Sequence, residues 1–466
     1  MTKLARHIGY GFGDMSSSMF WKVFSYYLPF FYSNIFGLSL KDAGIILLVT
    51  RIWDAVSDPM MGVLADRTHT RWGKYRPYLL FVAPLFSICG ILLFTTPDWG
   101  YTAKLVWAYV TYILMMTVYT GINVPYGAML GVMTADSNEK TVYSSFRMFF
   151  AYGGSFIALF LWEPLCNAFG GYDRPQGWFW AMVVIAAACF VLFLCCFSLT
   201  REELKTVSNV SIGSDFQSLL SNKPWWLLIG AALCFNLFCT VRGATVAYYF
   251  ADIIPAGAQL SIGKWSFLFY AGLFLAVGEV SNMIGVALCV PLAGRFGKKT
   301  TFIAVNIGLC ILSVLFFFIP VSQPGFWLML IAQVLISMLT GIMSPLVWSM
   351  YADVSDYAEQ RYKTASTGLI FSSSSMAQKF GGAIGGSAAL WLLAACGYIT
   401  NSQELIANGQ QLIIQPDSAL LCLRCLMSFI PAAVSLIAVL VVSFYPLTTA
   451  RMKEIDTLLQ IQRKIA

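Results

Sequence analysis

Twelve apolar runs, parted by polar breaks, limit the folds open to this chain more than any other feature of its sequence. A bilayer core of about 30 Å needs about 20 apolar residues per helix. Inside hydrocarbon, a chain that does not close into a barrel satisfies its backbone groups only as helices. The runs predict membrane helices at 10–36, 42–65, 77–96, 104–133, 146–169 and 177–199, then at 225–252, 264–293, 300–320, 325–351, 366–398 and 418–446. The longest polar stretch, TREELKTVSNVSIGSDFQSLLSNKP, separates six from six. The reading is an all-α membrane protein of twelve transmembrane helices in two six-helix bundles. The bundles are expected over 1–200 and 223–446, with a central loop at 201–222 and a short amphipathic tail at 447–466.

Charge gives the orientation. Of 29 Lys and Arg, six fall within spans and four (Lys41, Lys104, Arg174, Lys264) in one set of loops, while nineteen lie in the opposite set. That excess marks the cytoplasmic side. Both termini and the central loop are therefore expected in the cytoplasm, with the chain in a bacterial-type inner membrane. The net charge of +7 then belongs to loops beside a lipid bilayer and does not call for nucleic acid. Residues MTKLARHIGYGFGD run into the first apolar segment without a small-residue cleavage site, so no cleavable leader is expected.

Several function classes fall away. Only 11% of residues are charged, and no nucleophile–base set or phosphate loop stands out, so an enzyme is not expected. Most of the twelve cysteines lie in apolar runs, and His7 and His69 are the only histidines, which argues against zinc. No cofactor is called for. The two halves also echo each other: GVLADRTHTRWGKYRP follows the second span and PLAGRFGKK the eighth. Such a repeat suits a transporter that works by alternating access. Asp66, Arg67, Gly73 and Lys74 in the first of these loops are the expected gate.

Eleven charges fall inside the spans: Lys22, Arg51, Arg147, Arg242, Lys379 and Arg424 against Asp14, Asp54, Asp58, Glu163 and Glu279. Each costs about 2.5–3.5 kcal/mol at a helix centre, so they should face a cavity and be paired. Arg51, Asp54 and Asp58 share one helix face by spacing. Thr120 and Asn123 share another on the fourth span, within TVYTGINVPYG. Two carboxylates and a hydroxyl are hard oxygen ligands for a small cation such as Na⁺. They equally suit a proton, because close carboxylates push one pKa upward. Lys379, in FSSSSMAQKFGGAIGG, could donate to a sugar hydroxyl or replace the cation by pairing with the carboxylates. Trp21, Tyr26, Tyr119, Tyr126 and Trp348 supply aromatic faces at similar depth.

These segments resemble the glycoside–pentoside–hexuronide:cation symporters of the major facilitator superfamily, the family of melibiose permease. The similarity is carried by IGYGFGD, RIWDAVSDPMMGVLADRTHTRWGKYRPYLLF, YTGINVPYG, FRMFFAYGG and ADVSDYAEQ, and runs through nearly the whole chain. The resemblance implies the major facilitator fold and a cation site at Asp54, Asp58 and Thr120. It implies a fifth-helix arginine, Arg147, near both sites and an eleventh-helix lysine, Lys379. Departures fall on the sugar side. Asn123 and Gly127 stand where melibiose permease has a sugar-binding aspartate and a tryptophan, and Ser17 and Ser18 replace its first-helix lysine–aspartate pair. NVPYG looks more like the glucuronide and pentoside branch. Ser57 stands where melibiose permease has an asparagine beside its cation site, which leaves Na⁺, H⁺ and Li⁺ open. DYAEQ, in the expected loop before the eleventh span, departs from the usual DYGEW.

The leading expectation is cation-coupled symport of a glycoside, pentoside or hexuronide by a protein that functions as a monomer. A lysolipid symporter and a membrane sugar sensor without net transport are the alternatives. Expected substrate contacts are Asn123, Arg147, Lys379, Trp348, Tyr26, Arg242 and Ser18. An anionic glycoside is a further expectation, motivated by mid-span cations without obvious acidic partners. Glu279 is read as lying on a helix that need not face the same cavity.

Overall fold

A computed structural model describes residues 2–68, 70–134, 137–203, 221–255, 257–262, 265–362, 367–400 and 414–465. The N-terminal half folds as α1 (Lys3–Phe30), α2 (Leu40–Asp66), α3 (Arg76–Leu93), α4 (Tyr101–Met133), α5 (Ser137–Ala168) and α6 (Pro175–Leu199). The C-terminal half holds α7 (Lys223–Asp252), α8 (Ala271–Phe296), α9 (Lys298–Phe317), α10 (Gln323–Tyr362) and α11 (Thr367–Ala395). Its last span, α12, comes in two pieces, Asp417–Met427 and Phe429–Ser443, and α13 (Thr449–Ile465) ends the chain.

Among the described residues, nine helices are long and apolar enough to cross a membrane on composition alone. The three that fall short, α1, α2 and α11, carry Asp14 and Lys22, Arg51 with Asp54 and Asp58, and Lys379. Their polarity has a place, because these helices meet across the middle of the molecule. Between bundles, α1 lies against α7, α2 against α11, and α5 against α8. Glycines permit the approach: a Cβ at Gly44 of α2 would sit 2.5 Å from the Trp391 indole of α11, and one at Gly243 of α7 would sit 2.3 Å from the Tyr26 ring.

Three segments differ from the sequence expectation. Residues 265–268 are not part of the eighth helix: Gln259–Ile262 (β1) pairs antiparallel with Trp265–Leu268 (β2), and α8 begins at Ala271. Trp265, Phe267 and Leu268 are apolar enough to read as membrane helix, but they form an exposed hairpin strand. DYAEQ is not a loop, since α10 runs 40 residues and carries it as its last turns. The break in α12 at Ser428 falls inside a run that the sequence reads as one unbroken span.

The bundles are latched at the end opposite the chain termini. Asn34 donates to the Tyr398 hydroxyl at 3.1 Å, and Tyr398 donates to Asp252 at 2.6 Å. Tyr248 donates to the carbonyl of Pro29 at 2.8 Å. Glu163 accepts from Tyr27 at 3.0 Å and from the backbone N–H of Gly272, at the start of α8, at 2.9 Å. Glu163 is therefore a helix N-terminal cap reaching from the other bundle, where a carboxylate meets unpaired N–H groups and the positive end of the dipole.

Candidate functional site

The residues at the centre are built from α2, α4 and α11. One helical turn separates Asp54 from Asp58, so both carboxylates emerge on the face turned to α4. Thr120 of α4 lies 3.0 Å from Asp54 Oδ1 and 2.9 Å from Asp58 Oδ1. A hydroxyl has one proton and can donate to only one of them at a time. From the other bundle Lys379 hydrogen-bonds Asp58 Oδ2, and its Nζ lies 3.2 Å from Asp54 Oδ2. Asp54 is 1% exposed, and its Oδ2 has no aligned hydrogen-bond donor among the described residues. Ser57 is buried beside the set, with its hydroxyl 3.5 Å from that of Thr120. Arg51 stands at the margin, 3.9 Å from Asp54 and over the Trp21 ring at 4.3 Å. Two carboxylates thus converge on one ammonium group, with the Thr120 hydroxyl between their other oxygens, and these oxygens can ligate a small cation or share a proton.

Lys379 also borders a cavity of about 370 Å³ lined from α1, α2, α4, α7, α10 and α11. Trp21, Tyr26 and Arg51 share that wall. Asp54 and Asp58 do not line it, so Lys379 stands between the cavity and the acids. A second cavity of about 200 Å³ runs into the C-terminal bundle. Both are lined by Lys22, Tyr26, Cys239 and Ser344.

The predicted residues divide. Asp54, Asp58, Thr120 and Lys379 come together, and Tyr26 borders both cavities. Arg147 does not join them: its Nε donates to Asp14 at 3.0 Å, within the N-terminal bundle. Asn123 and Ser18 are half-buried and line neither cavity. Trp348 packs against the C-terminal core near Tyr351.

Arg242 borders the second cavity, but two of its nitrogens are engaged by neutral acceptors. Nη1 donates to the carbonyl of Met427 at 2.5 Å, and Nη2 to Gln333 at 3.0 Å. The sequence explains this. An α-helical carbonyl at 427 would accept from the N–H of residue 431, and Pro431 has none. Arg242 supplies the missing donor where α12 breaks.

Sequence reasoning misses the partner of Lys22. Its Nζ reaches Glu279 on α8 at 2.5 Å, and Glu279 borders the second cavity rather than facing away from it. No local spacing announces a pair 257 residues apart. The cations read as surplus have partners: Lys22 with Glu279, Arg147 with Asp14, Lys379 with Asp58, and Arg242 with a carbonyl and an amide. Of these four cations, three therefore have acidic partners, while Arg242 has neutral acceptors among the described residues.

In the expected gate, Gly73 has φ +115°, open to glycine without strain. A Cβ there would also meet the Glu202 carboxyl at 2.5 Å. Glu202 accepts from the backbone N–H groups of Lys74, Tyr75 and Arg76 at 2.7, 2.7 and 2.8 Å, capping α3. Arg67 is the exposed residue that closes α2. Asp66 ends α2 as well, and its side chain lies outside the described residues.

Two helical bundles around a central, charge-lined cavity define a membrane transporter of the major facilitator fold. Solved structures agree on the fold: the nucleoside transporter NupG superposes with a TM-score of 0.64 over 95% of this chain and 98% of its own, at 12% identity. Residues 9–449 match the family described as MFS/sugar transport protein, and the chain belongs to that family, within its glycoside–pentoside–hexuronide symporter group. Among its relatives is a putative glycoside/cation symporter, YagG, of Escherichia coli K12, 34% identical over 96% of this chain and 93% of its own. The inner membrane symporter YicJ of the same organism is 33% identical over 96% and 93%. The isoprimeverose transporter of Lactiplantibacillus pentosus is 30% identical over 87% and 83%. These are transporters and not enzymes.

Proposed function

We propose that this protein is a cation-coupled symporter of a glycoside, with Asp54, Asp58 and Thr120 as the coupling site and Lys379 as a built-in substitute for the cation. The single observation that carries the reading is Lys379 lodged between two carboxylates of the other bundle. A proton or Na⁺ arriving at those oxygens neutralises them and releases Lys379. Release does two things. It frees an ammonium group at the cavity wall, where it can donate to a sugar hydroxyl. It also cuts an ion pair between α2 and α11, so cation occupancy alters how firmly the bundles are tied. Breaking such a buried pair without replacement costs about 3–5 kcal/mol. The cation supplies the replacement, and that energy difference is the coupling. Trp21 and Tyr26 offer apolar ring faces against which a sugar's C–H face can pack.

Both termini and the central loop lie on the cytoplasmic side in this reading, following the Lys and Arg asymmetry. The latch at the far end, through Tyr398, Tyr248 and Glu163, then closes the cavity from outside. The protein works as a monomer, since the acids, the hydroxyl and the lysine all come from one chain.

Uptake of a labelled panel of glycosides, pentosides and hexuronides into proteoliposomes tests the reading, with a Na⁺ gradient, a Li⁺ gradient or a pH gradient alone. Accumulation above equilibrium in at least one condition is expected. Equilibration without accumulation under all three would overturn cation coupling.

A further inference from the structure

One charge inside the spans takes no part in the site or the latch. Lys22, Arg51, Arg147 and Lys379 face carboxylates, Arg242 is held by a carbonyl and an amide, and Glu163 caps α8. The Arg424 side chain, on the first piece of α12, makes no hydrogen bond or ion pair among the described residues. It is exposed, and its stripe faces away from the protein: Leu421, one turn before it, is 53% exposed, and Phe429, Leu436, Ile437 and Leu440 are exposed after it. In a bundle that crosses a bilayer, that stripe meets lipid. An arginine there is costly unless its head reaches a counter-charge.

Its depth supplies one. Lys299 marks the headgroup level on the side of the termini, donating to the carbonyls of Ser443 and Tyr445 at 2.8 Å. At about 1.5 Å per residue, Arg424 stands about 28 Å along α12 from Ser443, and so at the far edge of a core about 30 Å thick. Helical side chains lean toward the helix N-terminus, and α12 begins on the far side, where Ser418 donates to the carbonyl of Cys396 beside the latch. The guanidinium therefore leans out toward phosphates rather than into the core. Beneath it the Phe429 ring lies 4.6 Å from that of Phe317, next to Phe318, which is 68% exposed, and together they form an apolar face for acyl chains. Asp417 sits two turns farther out on the same stripe and forms no ion pair with Arg424.

We propose that Arg424 is a lipid site: its guanidinium binds the phosphodiester of a phospholipid in the leaflet far from the termini, and the lipid's chains pack over Phe429 and Phe318. A planar fork of donors suits phosphate oxygens. The inference stands apart from the choice of substrate.

Photo-crosslinking of the full-length protein in vesicles tests it, with phosphatidylglycerol or galactosyl diacylglycerol carrying the same diazirine near the head of one chain. Peptide mass mapping reads the labelled fraction of the segment from Leu421 to Phe429. Phosphatidylglycerol should label it about fivefold more than the phosphate-free lipid, the step expected of one basic residue beside an anionic headgroup. Arg424→Gln should bring the two lipids level, and Arg424→Lys should keep most of the difference. Excess inorganic phosphate should not compete, because it lacks the chains. Thermal unfolding in phospholipid-free detergent should find Arg424→Gln as stable as the wild type. Equal labelling of the wild type by both lipids, an undiminished preference in Arg424→Gln, or displacement by inorganic phosphate would overturn the lipid site. A variant already destabilised in phospholipid-free detergent would overturn it too, by placing the partner of Arg424 within the protein.

Discussion

Each bundle holds buried acids on its second helix, and each borrows a lysine from the other bundle to neutralise them. In the N-terminal bundle Asp54 and Asp58 on α2 take Lys379 from α11; in the C-terminal bundle Glu279 on α8 takes Lys22 from α1. The difference lies in the oxygens. The first site sets two carboxylates on one ammonium group and the Thr120 hydroxyl on their other oxygens, a set that can exchange the lysine for a proton or a metal cation. The second offers a single carboxylate already paired with its lysine, too few ligands for a cation. The same cross-bundle pairing thus surrounds the lysine with several oxygens on one side and with a single carboxylate on the other.

The largest expected effect breaks the first site. Asp54→Asn or Asp58→Asn should abolish gradient-driven accumulation while exchange of labelled for unlabelled sugar persists, measured in proteoliposomes. Accumulation retained in both would remove the coupling site. Loss of cation dependence in Glu279→Gln to the same extent would erase the distinction between the bundles.

A smaller effect is expected at Arg242, whose role here is structural. Arg242→Met leaves the Met427 carbonyl without its donor and should lower stability by about 2 kcal/mol, read from thermal unfolding in detergent. Adding Pro431→Ala restores an N–H to that carbonyl and should recover part of the loss. No recovery would mean that the arginine is held for another reason.

The two loops that echo each other in sequence sharpen the comparison further. Both close on a glycine with positive φ, Gly73 at +115° and Gly297 at +83°. Both then send a cation to the sixth span of their own half: Arg76 donates to Phe197 O at 2.7 Å, and Lys299 to Ser443 O at 2.8 Å. Gly73→Ala should cost about 1–3 kcal/mol, the range for a strained backbone. The smallest effect is expected from Glu202→Gln, about 1 kcal/mol, because the amide oxygen can keep the Tyr75 and Arg76 bonds and the Lys74 N–H is lost. If Glu202→Gln proved worse than Gly73→Ala, the carboxylate would have a partner beyond the α3 cap.

How much of this is legible in the sequence follows from range. Asp54 and Asp58 are one turn apart, so helical spacing alone puts them on one face, and Thr120 follows from the family resemblance. Lys379 can be foreseen as a stand-in for the cation, but its distance from the acids cannot, because it depends on how two bundles pack. The pairing of Lys22 with Glu279 is invisible for the same reason. Arg242 reads as a substrate contact because nothing local links it to Pro431, 189 positions away by residue number. The strand pair 259–262 and 265–268 escapes notice because lipid-like composition does not distinguish a short apolar strand from the start of a helix.

The central claim, that Lys379 occupies the place of the coupling cation, is tested most directly by cation affinity in Lys379→Gln. Calorimetric titration with Na⁺, and proton uptake on sugar addition if Na⁺ does not bind, would be compared with the wild type. Removing an internal competitor should tighten cation binding by about tenfold or more, while transport fails for want of the released ammonium group. Binding that weakens, or stays unchanged, would contradict the account.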